Sequence, residues 1–423
     1  MIYKHIAFII LFLLVISSNS DAEEVIKKGE ILNLQRCIEI ALKKHPDIIA
    51  STNNVNAYAS KVGQSRADYY PQINLYSGYS RISPVTSANG SYDNYSTGIN
   101  INQIIYDFGK TSAQVNIQNL NLNAVRTDLE SISDRIIFNV KQKYFALLKS
   151  KRNKQVAEET VRQYQQHLEQ AKGFFEVGVK PKFDVTKAEV DLGTARLNLI
   201  ISENALKSAK ASLDNAIGTP EAPEYFIEDN LQMEKYTITF DEAISNAYKN
   251  RPELKSIISR KEAAAGTVEL ARKGFYPVLT GNASYNWSGE NFPLDNGWNA
   301  GITLSFPLFS GFSTKYQIEE AKANLNVQEA NEESLRQSIL LEVQQAYLNF
   351  KEAEERIPVA ELNVKQAQEN FEIADGRYAA GVGNPIEVTD ASVALTNAKT
   401  AYIQALYDYK IAIASLEKAM GVR

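Results

Sequence analysis

The chain has 423 residues, enough for two or three ordinary domains, and its 45 basic and 50 acidic side chains give a net charge of −5. This near balance gives no reason to expect nucleic acid as a partner. The single cysteine, Cys37, excludes an internal disulfide and a cysteine cluster for metal binding or catalysis.

The first element is a short apolar run from Ile6 to Ile16, followed by small and polar residues up to Ala22. It is too short to cross a bilayer as a helix, which needs about 20 residues. The layout predicts a secretory signal peptide over residues 1–22, cleaved after Ala22. No other long apolar stretch follows, so the mature chain is either exported and soluble or spans a membrane with strands.

Beyond the signal peptide the chain is a tandem repeat. His45-Pro46-Asp47 recurs as Arg251-Pro252-Glu253, and Gly178-Val179 recurs as Gly381-Val382, in nearly constant register. The duplication predicts a first structural repeat over residues 23–218, an inter-repeat linker over 219–237 and a second repeat over 238–423.

Each repeat opens with one predicted helix, over about 34–69 and about 240–276, which Pro71 or Pro277 stops. The period then switches from helical to alternating. In 278–288, for example, Leu279, Gly281, Ala283, Tyr285 and Trp287 alternate with threonine, asparagine and serine.

Two strands per repeat are therefore predicted, joined by polar loops that contain Asn89-Gly90 and Asn296-Gly297. About ten alternating residues per strand, with aromatic residues near the ends of the apolar face, suit a tilted transmembrane β-strand. An ordinary half-buried hairpin in a soluble sheet shows the same alternation and stays open at this point.

A long helix follows each strand pair, over about 111–172 and about 314–375, and would extend roughly 90 Å. A glycine-containing turn then leads to a returning helix, over about 183–216 and about 386–420. Apolar residues recur at heptad-like spacing among many polar ones, which favours coiled-coil-like packing along a narrow seam.

Four strands cannot close a barrel, and open sheet edges are not tolerated in lipid. A membrane location therefore requires partners, and three protomers would supply a 12-stranded barrel. Their long helices would form a tubular wall around water.

The ordered motifs, present twice, resemble the TolC-like outer-membrane efflux protein family over essentially the whole mature chain. The resemblance rests on the duplication, the strand pair after each proline, the His45-Pro46-Asp47 and Arg251-Pro252-Glu253 signatures and three further segments. These segments are Ile104-Ile-Tyr-Asp-Phe-Gly109, Pro307-Leu-Phe-Ser-Gly311 and Arg377-Tyr-Ala-Ala-Gly-Val-Gly-Asn-Pro-Ile-Glu-Val-Thr-Asp-Ala391.

The resemblance implies a mixed α/β membrane protein with an internal duplication. In such proteins a trimeric 12-stranded transmembrane β-barrel, with four strands per protomer, is continuous with a long α-helical periplasmic barrel. The implied role is an outer-membrane channel of a tripartite efflux or type I secretion system. The implied partners are outer-membrane lipid, a periplasmic adaptor (membrane fusion protein) and an inner-membrane efflux pump or ABC transporter.

The resemblance also assigns roles to residues at the two helix tips. Tyr378 matches a constricting tyrosine of the periplasmic gate, and Gly383 falls where some members carry an arginine that ties the closed gate. Glu387 and Asp390 match two acidic positions at the periplasmic entrance, and Asp184 matches an acidic partner in the first repeat. The tips expected to dock the adaptor are Val177, Gly178, Val179, Ala380, Gly381 and Val382.

Alternative interpretations stand beside these expectations. Glu387 and Asp390 share a helix face near a helix start, where acidic residues also complement the helix dipole. Glu332 and Glu333 are expected on exposed helix faces away from the entrance. The chain lacks motifs for a catalytic serine elbow, a zinc-binding HExxH or a phosphate loop, so no enzymatic activity and no cofactor are expected. The remaining rival is a soluble periplasmic coiled-coil scaffold or adaptor protein.

Overall fold

The computed structural model describes residues 26–83 and 91–423. The predicted signal peptide and the Asn89-Gly90 turn lie outside the described residues. The two repeats have the same order of elements, as predicted. The first repeat contains β1 (Ile31–Leu32), α1 (Leu34–Lys44), α2 (Pro46–Arg66), β2 (Gln72–Ile82), β3 (Tyr92–Tyr106), α3 (Lys110–Glu176) and α4 (Lys182–Ala216). The residues predicted as the linker contain β4 (Phe226–Ile227), which precedes the first helix of the second repeat as β1 precedes α1. The second repeat contains α5 (Phe240–Asn250), α6 (Pro252–Arg272), β5 (Val278–Gly289), β6 (Asp295–Ser305), α7 (Ser313–Ala379) and α8 (Pro385–Met420).

The opening helix of each repeat is broken in two, so the prediction of a single helix there was wrong. His45 and Arg251 both leave the helical conformation, with ψ of 129° and 118°, and Pro46 and Pro252 begin the next helix. Proline lacks an N–H and clashes with the preceding turn, so it is tolerated at a helix start and not inside a continuing helix. The predicted stops before Pro71 and Pro277 are confirmed, because Tyr70 and Tyr276 are extended.

The four longer strands form one antiparallel sheet in the order β2-β3-β5-β6. In the two rungs given below, its register pairs apolar residues with apolar ones and polar residues with polar ones across all four strands. Asn296-Gly297 lies inside β6, paired with Trp287 and Asn286, so its prediction as a loop was wrong. One rung contains Leu75, Ile99, Tyr285 and Trp298, and the adjacent rung on the other face contains Asn74, Asn100, Ser284 and Asn299.

The apolar face of this sheet is exposed in the single chain. Leu75 is 75% exposed, Trp298 76% and Ile302 71%, although burial normally favours such side chains. The outer edges of β2 and β6 have no strand partner among the described residues. The sheet therefore presents an uncovered apolar surface and two open edges, which are features of an incomplete assembly.

Two long helices of equal length follow the sheet: α3 comes after β3, and α7 comes after β6. Each has 67 residues, so each extends about 100 Å at about 1.5 Å per residue. α3 begins directly after the left-handed Gly109, and α7 begins after Gly311 and Phe312, which both have positive φ. No helix within the described residues is both long enough and apolar enough to cross a membrane.

The main hydrophobic core lies around the middle of the long helices, where the inter-repeat linker crosses them. Two fully buried tyrosines fix that linker: the Tyr144 hydroxyl donates to the Glu228 carbonyl at 2.7 Å, and the Tyr409 hydroxyl donates to the Glu234 carbonyl at 2.6 Å. β4 of the linker also pairs in parallel with β1. This core sets the positions of the helices that run on to the two tips.

Candidate functional site at the helix tips

The two predicted tips are tight turns between α3 and α4 and between α7 and α8. Gly178 and Gly381 have φ of 73° and 80°, in the left-handed region that glycine tolerates best. After each glycine the chain folds back onto the helix end, as the Val179 N–H donates to the Phe174 carbonyl and the Val382 N–H to the Arg377 carbonyl. The remaining residues assigned to docking are Val177, at 72% exposure, and Ala380, also exposed.

Tyr378 is fully buried in an apolar cluster just behind the second tip. Its ring lies 5.7 Å from the ring of Phe174, which belongs to the first tip, with an edge-to-face angle of 78°. The two hairpins therefore pack against each other through Tyr378. In this protomer the side chain does not face open solvent, and its role as a constriction stays a prediction.

A layer of buried polar groups surrounds Tyr378. The ring of His167 on α3 lies 4.6 Å from the Tyr378 ring, and Asp184 on α4 is only 4% exposed. The Tyr378 hydroxyl, Oδ2 of Asp184 and Nδ1 of His167 are buried without a hydrogen-bond partner in the described part of the chain. Burial and the nearby Asp184 charge raise the pKa of Tyr378 to about 12. Asp184 and Tyr378, which the sequence analysis assigned to the gate, are thus both buried in this region, and their roles in a gate stay predictions.

The other two assigned residues, Glu387 and Asp390, are exposed at the start of α8. Glu387 lies 3.6 Å from Nε of Arg377, so its charge is partly compensated. Asp390 forms no ion pair with any residue that the structure describes. Both carboxylates are accessible to ions, and the negative charge of Asp390 is less compensated by a nearby positive charge than that of Glu387.

Lys180 forms a direct hydrogen bond between the two tips, which the sequence analysis did not predict. Its Nζ donates to the Gly383 carbonyl at 3.0 Å and lies 5.7 Å from the centre of the Tyr378 ring. A Cβ atom at Gly383 would lie 2.6 Å from the Tyr378 nitrogen, so this turn has no room for a side chain there. In this chain the side chain that links the two hairpins is therefore the lysine of the first tip, and residue 383 contributes only its backbone carbonyl.

A second tie links α4 to α8 one turn further from the tips. The Thr389 hydroxyl donates to Oδ2 of Asp191 at 2.8 Å, and Lys187 contacts both Asp191 oxygens at 2.5 and 2.6 Å. The sequence signal for these residues was weak, because an acidic residue four positions after a lysine is common on a solvated helix face. Within the described residues, no group of three or more histidine, cysteine or acidic side chains could hold a metal ion.

Replacing Lys180 with alanine is expected to loosen the two tips. Because Lys180 is only partly buried, losing its hydrogen bond should cost about 1 kcal/mol, below the usual range for a charged donor, which corresponds to about fivefold faster exchange. Hydrogen exchange of the tip amides around residues 376–383 measures this change. Lys182→Ala is the matched control, because Lys182 is exposed and its side chain has no partner among the described residues. Equal exchange rates in the two variants would show that the Lys180 tie contributes nothing.

Comparisons with known proteins agree with this architecture. A sequence model of the family described as "Outer membrane efflux protein" matches residues 37–219 and 243–422. "Outer membrane protein TolC" of Vibrio cholerae serotype O1 is 24% identical over 403 residues, covering 92% of this chain and 90% of that protein.

Solved structures of outer-membrane channels share the fold. CusC, studied for its folding and transmembrane channel formation, superimposes with a TM-score of 0.82 at 19% identity, covering 93% of this chain and 94% of that one. The Campylobacter jejuni CmeC outer membrane channel gives a TM-score of 0.79 at 18% identity, covering 92% of this chain and 85% of that one.

Proposed function

The chain belongs to the outer membrane efflux protein family, and from this premise we propose that it is one subunit of an efflux channel in the outer membrane. The channel gives passive export, across the periplasm and the outer membrane, of substrates delivered by an inner-membrane transporter. The observation that carries the proposal is the four-stranded sheet with one continuous exposed apolar face, joined to helices about 100 Å long.

The sheet has the properties expected of a membrane wall. Its apolar face carries Trp298, Ile302 and Leu304, each more than 60% exposed in the single chain, which lipid would cover. Its other face carries asparagine, serine and threonine, which suit a water-filled lumen. A soluble periplasmic scaffold would leave the apolar face in water, so the sheet disfavours that alternative. Cell fractionation tests this directly: the protein should be extracted from the outer membrane by detergent and should not appear in the soluble periplasm.

The open edges of β2 and β6 support assembly as a homotrimer. Every backbone group in a bilayer needs a partner, so each edge must pair with the opposite edge of another protomer. Three four-stranded sheets would close a barrel, and the four long helices of each protomer would continue it as a tube through the periplasm.

We therefore expect the protein extracted in mild detergent to be a trimer. Light scattering with correction for bound detergent measures the protein mass directly, and three times the mass of the mature chain is the expected result. A detergent-free, monodisperse monomer would contradict both the trimer and the membrane location, because neither the edges nor the apolar face would then need a partner.

The helix tips are the proposed site for the gate and for the partners. Six tips in a trimer would surround the periplasmic mouth, with Asp184 and Tyr378 inside the packed hairpins and Glu387 and Asp390 accessible to the opening. The exposed valines Val177, Val179 and Val382 offer a small apolar surface at the extreme end of the tube. This surface fits a periplasmic adaptor, which would connect the channel to an inner-membrane efflux pump or ABC transporter.

A further inference from the structure

His167 is a buried titratable group at the centre of the contact between the two hairpins. It belongs to α3, is 4% exposed and packs against Tyr378 of α7, with 4.6 Å between the ring centres and an angle of 53° between the ring planes. Its Nδ1 atom is buried without a hydrogen-bond partner among the described residues. An unpaired buried ring nitrogen costs stability even in a neutral imidazole, and it costs considerably more once the ring is charged.

Charged groups face His167 from several elements. The negative charges of the acidic groups favour a protonated ring, and the positive charge of Lys187 disfavours it. Two further charges lie beside tyrosines of this region: Lys180 lies over the ring of Tyr378, and burial together with the charge of Asp390 raises the pKa of Tyr164. The titratable and charged groups are Asp184, Lys187 and Asp191 of α4, Asp375 and Tyr378 of α7, Tyr164 of α3, Asp390 of α8 and Lys180 of the first tip.

The balance of these effects favours the neutral ring while the hairpins are packed. Burial is the largest influence and lowers the pKa of His167, and the charges of Asp375, Asp191 and Asp184 offset it only in part. An exposed histidine has a pKa of about 6.5. The packed arrangement therefore has its full stability above about pH 6.5, and it loses stability as the pH falls from there towards the lower pKa of the packed state.

We infer that His167 is a proton-sensitive positioning residue, which holds Tyr378 between the hairpins when neutral and releases the tips when protonated. The inference rests on the proposed function, because it treats the tips as the periplasmic mouth of a channel. Protons in an acidified periplasm would then open the mouth without any other ligand. His167 touches neither substrate nor partner in this scheme, since it acts through the position of Tyr378.

The test compares the complete trimer with its His167→Gln variant in planar bilayers, from about pH 7.5 to about pH 5.5. Glutamine cannot titrate, and both proteins keep the same acidic residues, so the difference between their pH profiles reports His167 alone. The open fraction of the native channel should rise on acidification, by up to about tenfold per protomer over this range, because only about one pH unit of it lies below the pKa of an exposed histidine. The variant should show a flatter profile. Parallel profiles would overturn the inference, whereas the absence of any channel would overturn the proposed function instead.

A second measurement covers the case in which the variant does not fold. In the native protein, imidazole signals from His45 and His167 can be followed by NMR during acid titration, with His45→Gln to assign them. His45 lies at the start of α2, where its Nδ1 accepts from the Asp47 N–H, and its signal disappears in the His45→Gln variant. Ring signals from Tyr378 should change with the same midpoint as His167. Titration of His167 without any change at Tyr378 would also overturn the inference.

Discussion

Replacing Ile302 with arginine is expected to prevent most of the protein from assembling in the outer membrane. Ile302 lies on the apolar face of β6, is 71% exposed in the single chain and is paired with Gly281 of β5. Arginine on the lipid face of a barrel costs about 2–4 kcal/mol near the middle of the bilayer and less near its surfaces. A trimer carries the substitution three times, so the total cost would be comparable with the whole stability of a typical domain. Heat-resistant trimer in isolated outer membranes, quantified on gels, measures the result.

The matched control is the neighbouring residue of the same strand. Thr303 points to the opposite face, where it pairs with Thr280 of β5, and an arginine there would extend into water. Thr303→Arg should therefore assemble nearly as well as the native chain, and Ala283→Arg against Asn282→Arg provides a second pair on β5. Equal assembly of Ile302→Arg and Thr303→Arg would show that the sheet does not separate lipid from water.

Neutralising Glu387 and Asp390 together is expected to weaken the cation preference of the channel strongly. In the proposed trimer the two residues would place six carboxylates around one opening, where they would attract cations and bind multivalent ones. The double variant Glu387→Gln, Asp390→Asn should lose both cation selectivity and block by multivalent cations added from the periplasmic side. If these charges contribute about 1.4 kcal/mol to binding the blocking ion, its affinity falls about tenfold. Reversal potentials and blocking concentrations in planar bilayers measure both effects.

The two single variants should differ. Arg377 already compensates Glu387 at 3.6 Å, so Asp390→Asn should have the larger effect on block. Glu333→Gln serves as the control, because Glu333 is exposed, accepts a hydrogen bond from Gln337 and forms no ion pair with any described residue. Glu332 was also expected to be exposed, which was wrong: it pairs with Lys261 at 2.6 Å and with Arg336 at 2.7 Å. Unchanged selectivity and block in the double variant would mean that both acids serve only the start of α8.

Local sequence rules predicted most of the architecture. The alternation in 278–288 gave β5, and the register then placed Tyr285 beside Trp298 as the alternation requires. The same rules failed at Pro46 and Pro252, although the signal was present. Helical periodicity on both sides of each proline suggested one continuous helix. The clash of proline with the preceding turn instead ends the first helix and starts a second one.

The interior of the candidate site could not be predicted from sequence, because it depends on contacts between distant segments. Tyr378 is buried by Phe174 and His167, which belong to the other hairpin, and no periodicity within α7 indicates that packing. Asp184 and Tyr378 were found only through the family resemblance. Lys180 could have been noticed, since it follows Gly178 by the same two positions as Gly383 follows Gly381.

The tie between Lys180 and Gly383 joins equivalent positions of the two repeats, and this breaks the symmetry of the mouth. Six identical hairpins in a ring would each meet two identical neighbours, and all six boundaries would be equally strong. Here a lysine stands in one repeat and a glycine in the other, so the tie fastens hairpins in pairs within each protomer. In a trimer this hydrogen bond would recur at the three boundaries within protomers, whereas the three boundaries between protomers would join different pairs of hairpins. Divergence after duplication would thus give the mouth three-fold rather than six-fold symmetry, so that the boundaries within protomers and those between protomers can open under different conditions.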